Sequence, residues 1–347
     1  MQLMDLIRYK YKTVSVVGMA KNAGKTVTLN RLLEEAAEKN IILGLTSTGR
    51  DGEKQDLVTK TEKPTIYVME NTIIATTEDC LLRSDAKLEI LEATDYVTAM
   101  GRVIICKVKA RGMIEIAGPD TNSEIREVAM KMRFYGAEIV LIDGAINRKT
   151  TASPSITEAT ILATGAVLSR DIDKVIEGTQ HQVHLFNLPT IEDETMKPLI
   201  ASLMEDKSYS IIDKSGNVEV LDIPTAINNG TTIGRALTEE SAYVILSGSL
   251  VKKTLEDILT VTELYKNVTF IVRDATKIFI GAKDWNFFIR RGFKIKVVDK
   301  INTLVATLNP YAPQGYQFDP KEFYNRMKRN LPLPVIDVML EEEEVHV

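Results

Sequence analysis

Cysteine is nearly missing: Cys80 and Cys106 are the two in a chain of 347 residues. That excludes a disulfide scaffold and leaves reduced, packed thiols as the simplest reading. Histidine is almost as scarce, with His181, His184 and His346. His181 and His184 share a helical face at i and i+3 but have no cysteine or carboxylate at ligand spacing, so a metal site has little basis there. No Cys-x-x-Cys, nucleophile elbow or GxGxxG turn at a strand end occurs, which leaves redox and covalent chemistry unsupported. No run of about 18 uncharged apolar residues is present, so no membrane span is expected. Positive charge is neither in excess nor gathered: 43 Lys and Arg stand against 48 Asp and Glu, a net charge of -5. Nucleic acid is therefore not an implied partner. The stretch "MQLMDLIRYKYKTVSVVG" flanks its short apolar segments with charges and offers no small-residue cleavage site, so the expected location is cytoplasmic. The acidic end "EEEEVHV" reads as a solvated terminus.

What is present is a βα rhythm. "TVSVVG" (13–18) is a short β-rich run, and Leu29, Leu32, Leu33 and Ala36 then recur as an amphipathic helical stripe. "IILGLTSTG" follows at the spacing of a βαβ crossover, which requires a parallel sheet. Ile73 to Thr76 and Val103 to Val108 read as further strands. Thr121 and Glu124 form a capping box ahead of Ile125, Val128, Ala129 and Met132, with Gly136 as the stop. "EIVLIDG" then supplies an unbroken apolar strand with Asp143 at its carboxyl end, and "ILATGAVLSRD" and 173–186 continue the alternation.

A seam is expected at "FNLPTIEDETMKP", where Pro189 and Pro198 bracket an acidic stretch. Beyond it, a hairpin around Ser215-Gly216-Asn217 precedes a second α/β alternation without a phosphate loop, and "NPYAPQGYQFDP" needs packing or a partner to hold it. The expected fold class is α/β: with the glycine-flanked "GMAKNAGKT" between its first strand and helix as a phosphate loop, a P-loop NTPase domain with a mainly parallel sheet over residues 1–190, a hairpin and connecting segment over 191–240, and a smaller C-terminal α/β partner-binding domain over 241–347.

The chemistry is expected at "GMAKNAGKT", residues 18–26. A phosphate chain is held by backbone N–H groups of a glycine-rich turn at a helix N-terminus, where the dipole also favours negative charge. Gly24 lets the backbone approach, Lys25 reaches the β and γ phosphates, and the Thr26 hydroxyl can ligate Mg²⁺. The strict P-loop spacing puts its first glycine at position 19, which is Met19; the glycine here is Gly18, so the loop is one residue longer. Within it Asn22 is the residue tolerant of left-handed backbone. Lys21, Asn22, Ala23 and the first-turn Val27 complete the expected nucleotide-binding set. Asp143 is placed as a Walker-B carboxylate for Mg²⁺, against an ordinary strand-end Asp. Asp51 and Glu53, in "TSTGRDGE" past the second strand, are candidates to hold the metal or position a hydrolytic water, against a solvated turn. Arg50 is a candidate phosphate contact. Ser169, Arg170 and Asp171 lie where a base can sit, or cap a helix.

The runs "TVSVVGMAKNAGKTVTLNRLLEEA", "LGLTSTGRDGE", "EIVLIDGAINRK" and "GAVLSRD" resemble the KamB family, the P-loop subunits of the reactivating factor for adenosylcobalamin-dependent lysine and ornithine aminomutases. The resemblance runs through most of the chain and maps a nucleotide site onto Lys25, Thr26, Asp51 and Asp143. It implies ATP and Mg²⁺ as cofactors, and a MutS-like partner subunit and an aminomutase as partners, with an oligomer left open. The Gly-x5-Gly-Lys-Thr spacing also resembles the phosphate loop of dethiobiotin synthetase.

Two functions share this site. One is an ATPase working on another protein as part of a reactivating, chaperone-like factor, hydrolysing ATP alone or with its partner. The other is an ATP-dependent small-molecule ligase resembling dethiobiotin synthetase, which would need an acceptor-binding polar cluster that the sequence does not offer. A P-loop domain serving as a binding scaffold is the third reading. No Asn-Lys-x-Asp stands at a strand end, so ATP is expected rather than GTP.

Overall fold

The computed structural model describes residues 2–48, 66–144 and 152–339. The chain folds as two compact units, residues 1–176 with 303–347, and residues 177–302.

The first unit is built on a nine-stranded sheet, in the order Val335–Asp337, Thr303–Asn309, Ala159–Gly165, Thr13–Gly18, Ile139–Gly144, Leu43–Ser47, Ile73–Thr77, Gly101–Ala110, Lys87–Thr98. All neighbours from Val335–Asp337 through Ile73–Thr77 run parallel, and the last two strands add an antiparallel hairpin. The unbroken apolar run at 139–142 serves both faces of this sheet. Ile139 and Leu141 enter one core with Leu29, Leu32 and Leu33, whereas Val140 and Ile142 enter another with Ile125, Val128 and Met132. Strand alternation sends successive side chains to opposite faces, and the two flanking helices cover one face each.

Those helices arise where their patterns predict. Helix Lys25–Glu38 buries Leu29, Leu32, Leu33 and Ala36. Each fully buried leucine contributes roughly 1.5–3 kcal/mol, far above any propensity difference along the helix, so the apolar stripe decides its docking. Helix Asn122–Phe134 starts at the expected capping box, in which Glu124 N–H donates to Thr121 Oγ1 and Thr121 N–H to Glu124. It ends before Gly136, whose φ of 108° suits glycine.

The second unit carries a five-stranded sheet, Val218–Leu221, Tyr209–Asp213, Ser241–Leu246, Thr269–Val272, Lys294–Val297. Its first two strands are the expected hairpin, closed by Asp213 accepting from Ser215 N, Asn217 N and Asn217 Nδ2. The other three run parallel, alternating with helices Lys252–Val261 and Ala282–Arg290.

The division of the chain differs from the one expected over 1–190, 191–240 and 241–347. The hairpin is not a separate connector, because Tyr209–Asp213 pairs with Ser241–Leu246 in one sheet. Nor do residues 241–347 form one domain: Thr303–Asn309 pairs in parallel with Ala159–Gly165 and brings the chain back into the first sheet. The Pro/Tyr-rich stretch that follows forms the paired short strands Tyr311–Ala312 and Tyr316–Gln317 and is tied to the sheet by a hydrogen bond from Tyr316 OH to Ala166 O. No helix among the described residues is long and apolar enough to cross a membrane.

Candidate functional site

Open parallel sheets gather ligands outside the carboxyl ends of their strands, where neighbouring connections leave in opposite directions. Here the chain leaves Thr13–Gly18 toward Leu43–Ser47 on one side, and after Ala159–Gly165 it re-enters at Thr303–Asn309 on the other. Residues 18–26 lie at that divergence, and Met19 N–H donates to Ala163 O across it at 2.9 Å.

The loop depends on its glycines for two different reasons. At Gly18 a Cβ would meet Lys25 Cγ at 3.0 Å and Cδ at 3.1 Å, so the missing side chain is the track along which Lys25 crosses the strand end. Gly24 has a φ of 105°, which a side chain rarely tolerates. Between them Asn22 takes the left-handed region at φ 64°, as expected for the one tolerant non-glycine residue. Ala23 is buried, and its N–H donates to Ala20 O.

Lys25 then points at the neighbouring strand. Its Nζ donates to Asp143 Oδ1 at 2.9 Å and to Gly144 O at 2.6 Å. Asp143 stands in register with Val16 on one side and Ser47 on the other. The side chains of Lys25 and Asp143 are 17% and 27% exposed, so the pair is reachable from solvent.

The helix start is equally distinctive. Gly24 is a left-handed N-cap that supplies no side-chain bond, and the first turn holds no acidic residue. Helix Asn122–Phe134 satisfies its first turn with Thr121 and Glu124. The N–H groups at the positive end of Lys25–Glu38 are left to other acceptors, the arrangement that suits an anion. Thr26 is half-buried and Val27 exposed on this turn, and Lys21 is exposed in the loop.

Thus Gly18, Lys21, Asn22, Ala23, Gly24, Lys25, Thr26, Val27 and Asp143 fall at one sheet edge. Arg50, Asp51 and Glu53 lie outside the described residues. Ser169 and Asp171 behave as local turn and cap residues: Ser169 Oγ accepts from Asp171 N and Asp171 Oδ1 from Asp173 N. Arg170 lies over the Tyr316 ring, 5.2 Å from its centroid. His181 donates from Nε2 to Ile280 O at 2.8 Å, and His181 and His184 both flank buried Trp285.

Sequence reasoning missed Asn309. Its Nδ2 donates to Asn22 O at 3.0 Å, and Thr28 Oγ1 shares a 2.8 Å hydrogen bond with Thr307 Oγ1 on the same strand. No local motif marks either contact, since Asn309 and Asn22 are 287 positions apart.

Among the described residues, no group of three or more His, Cys, Asp or Glu side chains could hold a metal ion by itself. Mg²⁺ does not need such a cage, because it keeps several waters and takes one or two protein oxygens with the phosphates of its substrate. The Thr26 hydroxyl and the Asp143 carboxylate fit that donor set. No protein-family model matches the chain, and no curated protein matches it.

Proposed function

We propose that the chain is a P-loop ATPase that binds Mg²⁺ and ATP at residues 18–27 and Asp143, and that it serves as a subunit of a reactivating factor for an adenosylcobalamin-dependent aminomutase. The observation that carries the nucleotide reading is the reach of Lys25 across the end of one strand to Asp143 on the next, with Nζ at 2.9 Å from Oδ1. The KamB resemblance carries the client and the MutS-like partner.

A solvent-reachable Lys–Asp pair contributes about 0–1 kcal/mol. Such a pair exchanges readily: a triphosphate offers Lys25 more negative charge than one carboxylate, and the exchange releases Asp143. Thr26 Oγ1 and Asp143 would then hold Mg²⁺, which supplies charge neutralisation on the phosphate oxygens. Gly24 and the uncapped first turn bring backbone N–H groups to the phosphates. Asp51 and Glu53 remain the proposed carboxylates for orienting the hydrolytic water.

The experiment is Mg²⁺-dependent phosphate release from ATP by the purified chain, alone and with a lysate fraction containing its co-purifying partner. Turnover that rises with a protein partner supports the reactivating factor. Turnover that requires a small metabolite and modifies it selects the dethiobiotin-synthetase-like ligase, and absence of ATP binding under all conditions removes both.

A further inference from the structure

We infer that Asn309 is a positioning residue of the phosphate loop, delivered from the far end of the chain; the inference rests on the nucleotide reading above. The loop has one residue more than the strict P-loop spacing, and its backbone turns through two left-handed positions, Asn22 and Gly24. Such a segment has few bonds of its own to hold one conformation, because left-handed backbone interrupts regular hydrogen bonding and is unfavourable for a non-glycine residue.

Asn309 supplies what the loop lacks. Its Nδ2 donates to Asn22 O at 3.0 Å, while its Oδ1 accepts from Tyr311 N at 3.1 Å. These two bonds fix the amide orientation, since only nitrogen can donate to a carbonyl and only oxygen can accept from an N–H. The Asn309 Cβ lies 3.0 Å from where a Cβ on Gly24 would be, so the side chain also closes on the residue that starts the helix. The main chain leaves little play at this point: Asn309 O would lie 2.4 Å from a Cβ on Gly165, its register partner. Two residues earlier, Thr307 holds Thr28 in the first turn of the loop helix.

An Asn at a strand end that only closed its own turn would need the Tyr311 bond and nothing more. The second bond lands on the Asn22–Ala23 peptide, between the two left-handed residues, where a rotation would break the Ala23 N–H bond to Ala20 O and turn the chain that enters Gly24. Asn309 thus acts through the loop, with no contact to the reacting atoms required of it.

The test uses the full chain with Asn309→Leu, which keeps the side-chain bulk and removes both the donor to Asn22 O and the acceptor for Tyr311 N, and Asn309→Ala, which removes the bulk as well. Two probes are titrated with Mg²⁺: ATP and inorganic tripolyphosphate. Amide hydrogen exchange is followed over residues 19–26 and, as a control, over strands 159–165 and 303–309. Of the two bonds lost, the one to Asn22 O bears on the loop, and its loss predicts about five- to ten-fold weaker binding of both probes in Asn309→Leu. Exchange should accelerate at 19–26 while the control strands keep their protection. A merely structural role would instead loosen the control strands and lower thermal stability. Unchanged exchange at 19–26 in Asn309→Leu overturns the inference, as does loss confined to Asn309→Ala, which would make the contact one of packing. If the native chain binds neither probe, the nucleotide reading fails, and the exchange measurement still decides whether Asn309 holds the loop.

Discussion

Lys25 and Asp143 meet across two adjacent parallel strands, 118 positions apart in sequence, with Lys25 Nζ 2.9 Å from Asp143 Oδ1. The contact requires Gly18 beneath the lysine chain and a strand register that puts Asp143 beside Val16. On the proposed function, Lys25→Ala should remove a phosphate contact, and as a part-exposed residue it can be lost without removing core. ATP hydrolysis is expected to fall by about 100-fold or more, the scale for losing one electrostatic contact to a transition state. Stability should change by no more than about 1 kcal/mol, as for a partly exposed pair. Parallel turnover and thermal-melting measurements check this, and a variant with native turnover sinks the phosphate-loop assignment.

Asp143→Asn keeps the shape of the side chain and removes its charge. The Mg²⁺ concentration needed for half-maximal ATP turnover should rise several-fold, because Mg²⁺ prefers carboxylate oxygen among its few protein ligands. A metal titration that coincides with that of the native chain would transfer the role to Asp51.

The parts of the molecule legible in the sequence are those whose causes are adjacent in it. Helix Asn122–Phe134 is announced by Thr121 and Glu124, and helix Lys25–Glu38 by its leucine stripe, because capping and amphipathicity act within a few residues. Asp143 could be placed because an apolar run ending in Asp reads as a central strand. Strand Thr303–Asn309 carries no comparable mark. Its place beside Ala159–Gly165 is a long-range pairing, and the intervening residues fold as their own unit. Strand Lys87–Thr98 was hidden for another reason. Its pairing with Gly101–Ala110 breaks register three times, so apolar and polar residues do not alternate cleanly along it.

Glycine substitutions separate the site from the core. Gly18→Ala places a methyl group 3.0 Å from Lys25 Cγ and 3.2 Å from Ala20 O, so it should displace the lysine and weaken ATP binding with little change in melting. Gly44→Ala instead meets Val140 Cγ2 at 2.9 Å, Met132 Cε at 3.1 Å and Ala137 Cβ at 3.2 Å in the packed layer beneath helix Asn122–Phe134. Overpacking there should cost about 1–3 kcal/mol in a urea melt. The reverse pattern of effects would mean that Gly18 serves folding and not the lysine.

The two thiols should be silent in the native chain. Cys80 and Cys106 are both free and fully buried, and burial pushes the Cys106 thiol up to about 12. The thiolate is the reactive form, so alkylation at neutral pH should modify neither cysteine before unfolding and both in denaturant. Rapid modification of either in the folded chain would give that residue an accessibility the packing denies it.

The hairpin reports on pH through Glu92. Lys131 Nζ lies 2.5 Å from its Oε1 and Tyr135 OH 3.0 Å from its Oε2. The hydrogen bond from Lys131 is the largest influence on this carboxyl and lowers its pKa; burial opposes that, and the Tyr135 bond and the lysine charge add to it. A carboxyl held below its unfolded value stabilises the fold at pH above that value, and the contribution is lost as pH falls through the folded pKa. Lys131→Met should therefore destabilise the fold at pH 7 and progressively less as the pH falls through the lowered folded pKa of Glu92, below which native and variant converge. Urea melts across that range check the sign. A difference that stays constant with pH would assign the effect to helix packing and remove the carboxylate from the account.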